Sequence, residues 1–213
     1  TADGDLVYPG TCRDLSAEEQ SAHRAKGQAG ALRLRVPDAG DPAGIVSFHD
    51  VLQGQVTCEL GLACGDFIVR RSDGEFAYQL AVVVDDLLQD VNCIVRGYDL
   101  LPSTPPQLYL RHLLEESDFA ACEEKAGITA PEALSFYHVP LFVGADGRRL
   151  SKRNHDCGMD VLREAYGTPE ALLGHIAHAS GLIEGPETPM GLSEILERFD
   201  LDALKLRMAV EYR

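Results

Sequence analysis

The stretch that points most directly to a fold is VNCIVRGYDLLPSTPPQLYL, residues 91–110. Its first part, residues 91–96, is a nearly continuous apolar run, which is typical of a strand buried inside a parallel sheet. Thr104 then predicts the start of a helix, because two prolines fit the first turn and Gln107 completes a Thr-x-x-Gln capping box. A buried strand followed by a capped helix predicts an α/β architecture.

Outward from this stretch, apolar periodicity and turn residues predict the neighbouring elements. An Asp-Gly turn at residues 73–74 supplies hairpin backbone angles and is expected to fold residues 76–80 back as a strand. Ser16 and Glu19 form a capping box, and Thr168 precedes a proline in the manner of a helix N-cap. Strands are expected at residues 32–37, 45–48, 67–70, 76–80 and 137–143, and helices at 16–26, from 168 onward and at 192–199. The alternation of strands and helices predicts an open, largely parallel sheet.

Two side chains fall where such a sheet binds ligands, beyond the carboxyl ends of its strands. Arg96 ends the apolar run, and its planar fork can hold a carboxylate through two parallel hydrogen bonds. Tyr78, in the strand expected next to it, could offer a hydroxyl to the same ligand. On spacing alone, a structural role is favoured for Tyr78. For Arg96 the residues leave open an ion pair with Asp85, Asp86 or Asp99.

A basic loop follows the strand expected at residues 137–143. Arg148, Arg149, Lys152 and Arg153 fall within six residues. At the edge of a nucleotide site, a lysine in such a loop can neutralise charge that develops on a departing pyrophosphate. Taken alone, the string is more typical of a solvated surface. Its position after an apolar strand and an Asp-Gly turn favours the functional interpretation.

Composition excludes some classes of protein. The 213 residues carry a net charge of −15, which argues against a surface that coats nucleic acid with Lys and Arg. No apolar run is long enough to cross a bilayer, and the first residues lack a signal-peptide pattern. The six cysteines include no Cys-x-x-Cys pair, which predicts a reducing cytoplasm and mostly buried thiols. They are Cys12, Cys58, Cys64, Cys93, Cys122 and Cys157.

Two pairs of residues that contain histidine are weaker signals. His175 and His178 lie about one helical turn apart and could clamp a metal ion. The sequence places no third ligand nearby, so an ordinary helix face is the favoured interpretation. The pair His49-Asp50 is interpreted as a structural turn.

Five blocks along the chain resemble class I glutamyl-tRNA synthetases in order and spacing. They are FAYQLAVVVDD at residues 76–86, VRGYD at 95–99, STPPQ at 103–107, YHVPL at 137–141 and DGRRLSKR at 146–153. The last block resembles the KMSKS-type loop of that family, and the second proline of STPPQ stands where an arginine is more usual. The resemblance implies the fold class. The chain would be an α/β protein that forms the second half of a class I aminoacyl-tRNA synthetase Rossmann-like catalytic domain, with an inserted subdomain and C-terminal helices.

Within this family, the chain is most similar to the glutamyl-Q tRNA(Asp) synthetases, which attach glutamate to the queuosine base of tRNA(Asp). About sixty residues follow the basic loop, too few for the anticodon-binding domain of a full glutamyl-tRNA synthetase. The block YPGTCR at residues 8–13 resembles the second half of a zinc site built from three Cys and a Tyr. Tyr8 and Cys12 are therefore the expected metal ligands of an incomplete zinc site, and the resemblance allows Zn²⁺ in the full-length protein.

The resemblance implies a role for each block. Tyr78 and Arg96 would bind L-glutamate, and Lys152 would be the catalytic residue that stabilises the transition state of adenylate formation. Mg²⁺ would accompany the substrate ATP. The enzyme would be a ligase that forms glutamyl-adenylate and transfers glutamate to tRNA(Asp), as a cytoplasmic monomer that binds no membrane. The ATP-binding loop would consist of Leu150, Ser151, Lys152 and Arg153.

The resemblance also divides the chain into three parts. Residues 1–65 would be a connective insertion with the partial zinc site, residues 66–155 the Rossmann-like half, and residues 156–213 a helical region that contacts the tRNA stem. The HIGH-type motif of the family does not occur in the sequence, so a truncated chain without detectable pyrophosphate exchange of its own is expected. Two alternatives stay open: a catalytic fragment of a true glutamyl-tRNA synthetase, and a non-catalytic tRNA- or protein-binding module.

Overall fold

The computed structural model describes residues 7–27, 29–117, 134–144, 146–150 and 158–211. Backbone contacts divide the chain into two compact units. The first unit comprises Thr1–His49, Gln55–Ile94 and Pro102–Ser135, and the second comprises Asp50–Gly54, Val95–Leu101 and Phe136–Arg213. The division into three functional parts at residues 65 and 155 stays a prediction.

Strands and helices are interspersed along the described chain. The strands are β1 (Leu32–Leu34), β2 (Ile45–Asp50), β3 (Gly54–Glu59), β4 (Phe67–Arg70), β5 (Cys93–Gly97), β6 (Ser135–Val139), β7 (Leu141–Val143) and β8 (Ala209–Glu211). The helices are α1 (Ala17–Ala25), α2 (Leu60–Ala63), α3 (Tyr78–Leu88), α4 (Thr104–Glu115), α5 (Met159–Tyr166), α6 (Pro169–Ala179) and α7 (Leu192–Arg198). Short 3-10 helices occupy Pro42–Gly44, Tyr98–Ser103 and Leu201–Leu204. No helix in these described ranges has the length and apolar character that a bilayer span requires.

Helix α1 begins where the capping box predicts. The Ser16 hydroxyl accepts a hydrogen bond from the backbone N–H of Glu19 at 3.2 Å, and the Glu19 carboxylate accepts one from the backbone N–H of Ser16 at 2.8 Å. The backbone N–H of Ser16, and then its hydroxyl, lower the pKa of Glu19, because both donate to the ionised carboxylate. The predicted helix and its cap are confirmed.

The strand expected at residues 76–80 is wrong. After β4 the chain makes an isolated antiparallel bridge between Arg70 and Phe76, and it then enters helix α3 at Tyr78. The Asp-Gly turn does reverse the chain as predicted, but the apolar residues that follow have the spacing of a helix face. Burial of that face outweighs the local preference for a hairpin.

The apolar face of α3 forms the core of the first unit. Val83 and Leu87 of α3 are buried together with Leu110 of α4. Strands β1 and β4 pair in antiparallel fashion and add side chains to the same cluster. The half-buried members of the cluster are Leu34, Phe67, Leu80, Val82 and Leu114.

The capping box expected at Thr104 is also wrong. The 3-10 helix Tyr98–Ser103 continues directly into α4, so Ser103 takes the N-cap position with helical backbone angles and makes no side-chain capping bond. Thr104 is fully buried instead. The Gln107 side chain donates a hydrogen bond of 2.6 Å to the side chain of Gln79, which ties α4 to α3 within the first unit.

A four-stranded sheet has the strand order β3-β2-β6-β5. Strands β2 and β6 run parallel, with Asp50 opposite Phe136, and β7 and β8 are also parallel. The strand expected at residues 137–143 is divided into β6 and β7, because Pro140 between them has no N–H to donate to a ladder. Strand β6 therefore lies between β2 and β5, and side chains near its end can meet side chains of both neighbours.

The helices of the second unit have a core of their own. Thr168 caps α6, since its hydroxyl accepts a hydrogen bond of 3.2 Å from the N–H of Ala171, and Pro169 occupies the first turn. This start is confirmed, as is the helix near residue 192, although its Leu192 and Leu196 are exposed. The buried cluster comprises Ala177, Ile183, Met190 and Ile195, with Leu173 and Leu182 packed against it.

Gly174 in α6 permits a close backbone contact. A Cβ at this position would lie 2.0 Å from the carbonyl oxygen of Thr188, which is backbone and cannot rotate away. We expect Gly174→Ala to destabilise the protein by about 2 kcal/mol, because the clash costs about 3 kcal/mol and alanine returns about 1 kcal/mol of helix propensity. Urea unfolding followed by circular dichroism measures the difference.

Gly30→Ala is the matched control, since no heavy atom lies within 4 Å of a Cβ built at Gly30. Equal unfolding midpoints for the Gly174→Ala and Gly30→Ala proteins would contradict the packing argument.

Candidate functional site

Arg96 lies in β5, where the apolar run predicts it, and its side chain is half-buried. The Nε–H of its guanidinium donates a hydrogen bond of 3.0 Å to Nε2 of His138 in β6. Both residues belong to the second unit. The arginine is therefore held from one side by an imidazole, a contact that sequence reasoning missed.

His138 is fully buried and is itself held by a carboxylate. Its Nδ1 lies 2.6 Å from Oδ2 of Asp50, which is also fully buried. Because a carboxylate accepts and Arg96 only donates, the imidazole must carry its proton on Nδ1 and present a lone pair at Nε2. Arg96 therefore donates to His138, and His138 donates in turn to Asp50.

Asp50 is saturated by backbone donors as well. Its carboxylate accepts hydrogen bonds from the N–H of Leu52 at 2.9 Å, of Gln53 at 2.8 Å and of His138 at 3.1 Å. The interpretation of His49-Asp50 as a structural turn therefore describes only half of its role. A signal was present in the sequence, since a polar residue follows a phenylalanine at two-residue spacing in both strands, as Phe48 with Asp50 and as Phe136 with His138.

Burial lowers the pKa of His138 below its ordinary value of 6.5, and the charge of Arg96 lowers it further, while the hydrogen bond to Asp50 opposes both. Desolvation disfavours the charged imidazole. The neutral tautomer inferred from the hydrogen bonds is thus the form that the surroundings favour at neutral pH.

This pKa makes stability depend on pH. Folded His138 stays neutral while the unfolded residue titrates near 6.5, so below that pH the unfolded state binds more protons. We expect the free energy of unfolding to fall as the pH drops below 6.5, by up to about 1.4 kcal/mol per pH unit from this residue, and the loss to end at the folded pKa. His138→Gln should remove this component of the pH slope.

His49→Gln provides the control, because His49 is an exposed histidine in the same strand as Asp50. Urea unfolding at a series of pH values measures the slopes. If the His138→Gln protein kept the slope of the unmutated chain, the assignment of this titration to His138 would be wrong.

The start of the basic loop is also placed in the second unit. The N–H of Leu150 donates a hydrogen bond of 3.1 Å to the carbonyl of Phe142 in β7. The N–H of Gly144 donates one of 2.9 Å to the carbonyl of Arg148. Arg149 forms an ion pair with Asp99, one of the candidate partners of Arg96. The start of the loop is thereby tied back to the segment just after β5. Ser151, Lys152 and Arg153 lie outside the described residues.

Tyr78 belongs to the first unit. It is the first residue of α3 rather than a strand residue, and its side chain is 53% exposed. An exposed phenol at a helix start can donate a hydrogen bond to a carboxylate, as the glutamate-binding prediction requires. Its role stays a prediction.

The pair expected to bind zinc lies in the first unit. The Tyr8 hydroxyl accepts a hydrogen bond of 2.6 Å from the backbone N–H of Cys12, and the Arg33 guanidinium lies 4.0 Å from the centre of the tyrosine ring. Structural zinc takes four ligands. Across the described residues, no group of three His, Cys, Asp or Glu side chains is placed to hold a metal. The described residues therefore do not fit a zinc site, and no chemical step is assigned to zinc.

The expectation of packed cysteines holds only in part. Cys93 is exposed, because alternate residues of β5 face outward, so the packing prediction is wrong for it. Cys58 and Cys64 are half-buried. Burial, then Cys58 and Asp66, raise the pKa of Cys64 to about 12, so its thiol is protonated at neutral pH. Cys122 and Cys157 lie outside the described residues.

His175 and His178 have different surroundings in α6. His175 is buried, and its Nδ1 lies 3.0 Å from a carboxylate oxygen of Glu187, with the Tyr166 ring centre 5.0 Å from its own. His178 is exposed. The two imidazoles are thus part of an ordinary amphipathic helix, as favoured from the sequence.

Comparison with known proteins identifies the family. The family model for the catalytic domain of class I tRNA synthetases (E and Q) matches residues 5–210. A glutamyl-Q tRNA(Asp) synthetase of Symbiobacterium thermophilum is 41% identical over 195 residues, which are 92% of this chain and 54% of that protein. A glutamate–tRNA ligase 2 of Alkalilimnicola ehrlichii is 37% identical over 204 residues, which are 92% of this chain and 38% of that protein.

A solved structure shares the fold. The crystal structure of a glutamate tRNA ligase from Elizabethkingia meningosepticum superposes with a TM-score of 0.64 at 21% identity, covering 100% of this chain and 43% of that one. The expected class I catalytic fold is confirmed. The chain spans about half the length of the curated relatives it matches. With a family model that matches nearly all of its residues, the chain belongs to the class I tRNA synthetases (E and Q), as part of their catalytic domain.

Proposed function

We propose that this chain forms the glutamate-binding part and the ATP-facing loop of a glutamyl-Q tRNA(Asp) synthetase. The observation that carries the proposal is the half-buried Arg96 at the end of β5, whose guanidinium is held by a buried neutral imidazole. A rigid fork of N–H donors at the carboxyl end of a sheet strand suits a carboxylate ligand. Relatives named glutamyl-Q tRNA(Asp) synthetase support the choice of amino acid and tRNA.

The proposed reaction joins L-glutamate to ATP. A carboxylate oxygen of glutamate attacks the α-phosphorus of ATP, and pyrophosphate leaves. The resulting glutamyl-adenylate then passes its glutamyl group to the queuosine base of tRNA(Asp), and AMP leaves. Arg96 and Tyr78 would hold the amino acid, and Lys152 would meet the charge that develops on the departing pyrophosphate. Mg²⁺ would be bound through the ATP phosphates. No enzyme nucleophile is needed, so positioning and charge stabilisation supply the rate.

The proposed surroundings follow from the substrates. A tRNA substrate and cysteines that form no disulfide among the described residues suit a reducing cytoplasm. We propose a monomer that works there without a membrane. The mass measured by light scattering in solution would test whether the protein is a monomer.

A second candidate is the catalytic part of a true glutamyl-tRNA synthetase. The relative named glutamate–tRNA ligase 2 favours it, since its identity to this chain is close to that of the glutamyl-Q relative. The two candidates share glutamate activation and differ in the RNA that accepts the amino acid.

The deciding experiment uses the complete gene product. Glutamate-dependent ATP–pyrophosphate exchange is measured first without RNA, and transfer of radiolabelled glutamate is then measured to three RNAs. These are tRNA(Asp) with queuosine, tRNA(Asp) without queuosine, and tRNA(Glu). We expect exchange without tRNA and transfer only to tRNA(Asp) with queuosine. Exchange that required tRNA(Glu), or charging of tRNA(Glu), would establish the second candidate instead.

The same assay applied to the 213-residue chain separates a catalytic from a binding role. We expect no detectable exchange from the chain alone, because the HIGH-type half of the site is not among its residues. Exchange by this polypeptide would show that its own residues complete the site.

A further inference from the structure

We infer that His138 and Asp50 are positioning residues that set the orientation of the Arg96 guanidinium for its carboxylate ligand. This inference rests on the proposed role of Arg96 in glutamate binding. It assigns a function to a buried pair in which the sequence indicated only a structural role for Asp50 and no role for His138.

A guanidinium can offer a carboxylate either of two edges. One edge consists of Nε and one terminal nitrogen, and the other consists of the two terminal nitrogens Nη1 and Nη2. The hydrogen bond of 3.0 Å from Nε to His138 occupies the first edge. A bidentate carboxylate must then meet the second edge, so the histidine determines which way the fork faces.

The histidine can accept this bond only in one protonation state. Its Nδ1–H donates to Asp50 at 2.6 Å, which leaves Nε2 as an acceptor. With the opposite tautomer, Nε2–H would point at Nε–H and the bond would be lost. A carboxylate that fixes the tautomer and ring orientation of a histidine is a recurrent arrangement behind functional groups.

The pair is rigid enough for this role. Three backbone N–H groups hold the Asp50 carboxylate, and the His138 carbonyl accepts a hydrogen bond of 2.9 Å from the Gln53 side chain. The same Gln53 amide donates to the Arg207 carbonyl at 3.0 Å. The Phe136 ring is stacked near that of His138, with 6.3 Å between centres. The imidazole is thus held on several sides.

Among the described residues, the charged groups that face His138 include Asp50 from β2 and Arg96 from β5, with the backbone of Leu100 nearby. Protonation of His138 would remove the acceptor and set two cations side by side. The KM for glutamate should therefore rise as the solution becomes acidic enough to charge His138, whereas the KM for ATP should not follow this residue.

The test compares two substitutions in the complete gene product by ATP–pyrophosphate exchange. His138→Phe keeps a ring beside Phe136 but cannot accept from Arg96. We expect it to raise the KM for glutamate by roughly 10- to 100-fold, by analogy with the loss of the outer partner of a metal-binding histidine, with the KM for ATP unchanged. His138→Gln can place its amide oxygen near the position of Nε2, and we expect it to restore most of the glutamate affinity. His49→Gln is the control and should behave as the unmutated enzyme.

A purely structural pair would give another pattern. Both His138 substitutions would then lower the active fraction, and hence kcat, and leave the KM for glutamate unchanged, which would overturn the inference. An enzyme that shows no glutamate-dependent exchange before mutation would refute the proposed function of Arg96 instead, so the two failures are distinguishable.

A second measurement needs no activity and covers substitutions that fail to fold. Nitrogen-15 NMR of the histidine side chains reports the tautomer, and the His138 signals are identified by their loss in His138→Gln. We expect a protonated Nδ1 and an unprotonated Nε2 whose shift changes in Arg96→Ala. A protonated Nε2 at neutral pH would overturn the inference, as would an Nε2 chemical shift that is the same in the Arg96→Ala protein.

Discussion

Arg96→Ala should lower kcat/KM for glutamate in ATP–pyrophosphate exchange by roughly 30- to 4,000-fold, since losing one partner of a hydrogen-bonded charge pair costs about 2–5 kcal/mol and about 1.4 kcal/mol is tenfold. The loss should appear mainly in the KM for glutamate. Arg96 lies at the end of β5 with its Nε held by His138, so its fork is already oriented when the ligand arrives.

Arg96→Lys separates charge from geometry. Lysine keeps the positive charge but loses the planar fork and the Nε–H that binds His138, so we expect it to recover little of the lost activity. Arg24→Ala is the control for removal of an arginine, because Arg24 is exposed on α1 and bonds only within its own helix among the contacts described. An unchanged KM for glutamate in the Arg96→Ala enzyme would contradict the proposed role of Arg96 in glutamate binding.

Lys152→Ala should lower kcat for pyrophosphate exchange by roughly 100- to 1,000-fold, the usual effect of removing one group aimed at charge in a transition state. The KM for glutamate should change little, because Lys152 is expected to meet the departing pyrophosphate and not the amino acid. A fall in kcat and in kcat/KM by the same factor indicates an interaction made only in the transition state. Initial rates over a grid of glutamate and ATP concentrations measure both quantities.

Arg148→Ala is the matched control for the basic loop. Arg148 is exposed and pairs with the exposed Asp146 at 2.6 Å, and such surface pairs contribute little. Its backbone N–H and its side chain lower the pKa of Asp146, so the pair is a local feature of the turn. If Arg148→Ala and Lys152→Ala had equal effects, the loop would act through its overall charge, and the specific role of Lys152 would be wrong.

The contacts of the loop start support the proposal that Arg96 and Lys152 belong to one site. Arg149 forms an ion pair with Asp99, three residues after Arg96. Leu150 is bonded to β7 through Phe142. Both contacts lie within the second unit, so the beginning of the loop is held close to the segment that carries Arg96. Lys152 follows Leu150 by two residues along the chain.

Much of the secondary structure could be predicted because its causes are local. The capping box of Ser16 with Glu19 and the cap of Thr168 before Pro169 act within four residues, and both are confirmed. The strand that ends near Arg96 is likewise visible as an apolar run with a glycine behind it. In these cases the side chains that decide the conformation lie within the same short window of sequence.

The errors arose where a distant contact decided between two local possibilities. Residues after the Asp-Gly turn can be read as a strand or as a helix, and packing of Val83 and Leu87 on Leu110 decides for the helix. The cap at Thr104 failed because the preceding 3-10 helix runs into α4. Neither the helix after the turn nor the missing cap could be predicted from the local residues alone.

The sequence by itself therefore determined the family and the position of Arg96 at the end of a strand, because motif order and apolar periodicity are written along the chain. Only the tertiary structure decided what holds that arginine. His138 lies 42 residues from Arg96 and 88 residues from Asp50, and it meets both because β6 lies between β2 and β5 in the sheet. Strand order is set by the burial of whole faces and not by neighbouring residues, so the spacing from phenylalanine to polar residue that β2 and β6 share could not by itself show that these side chains meet.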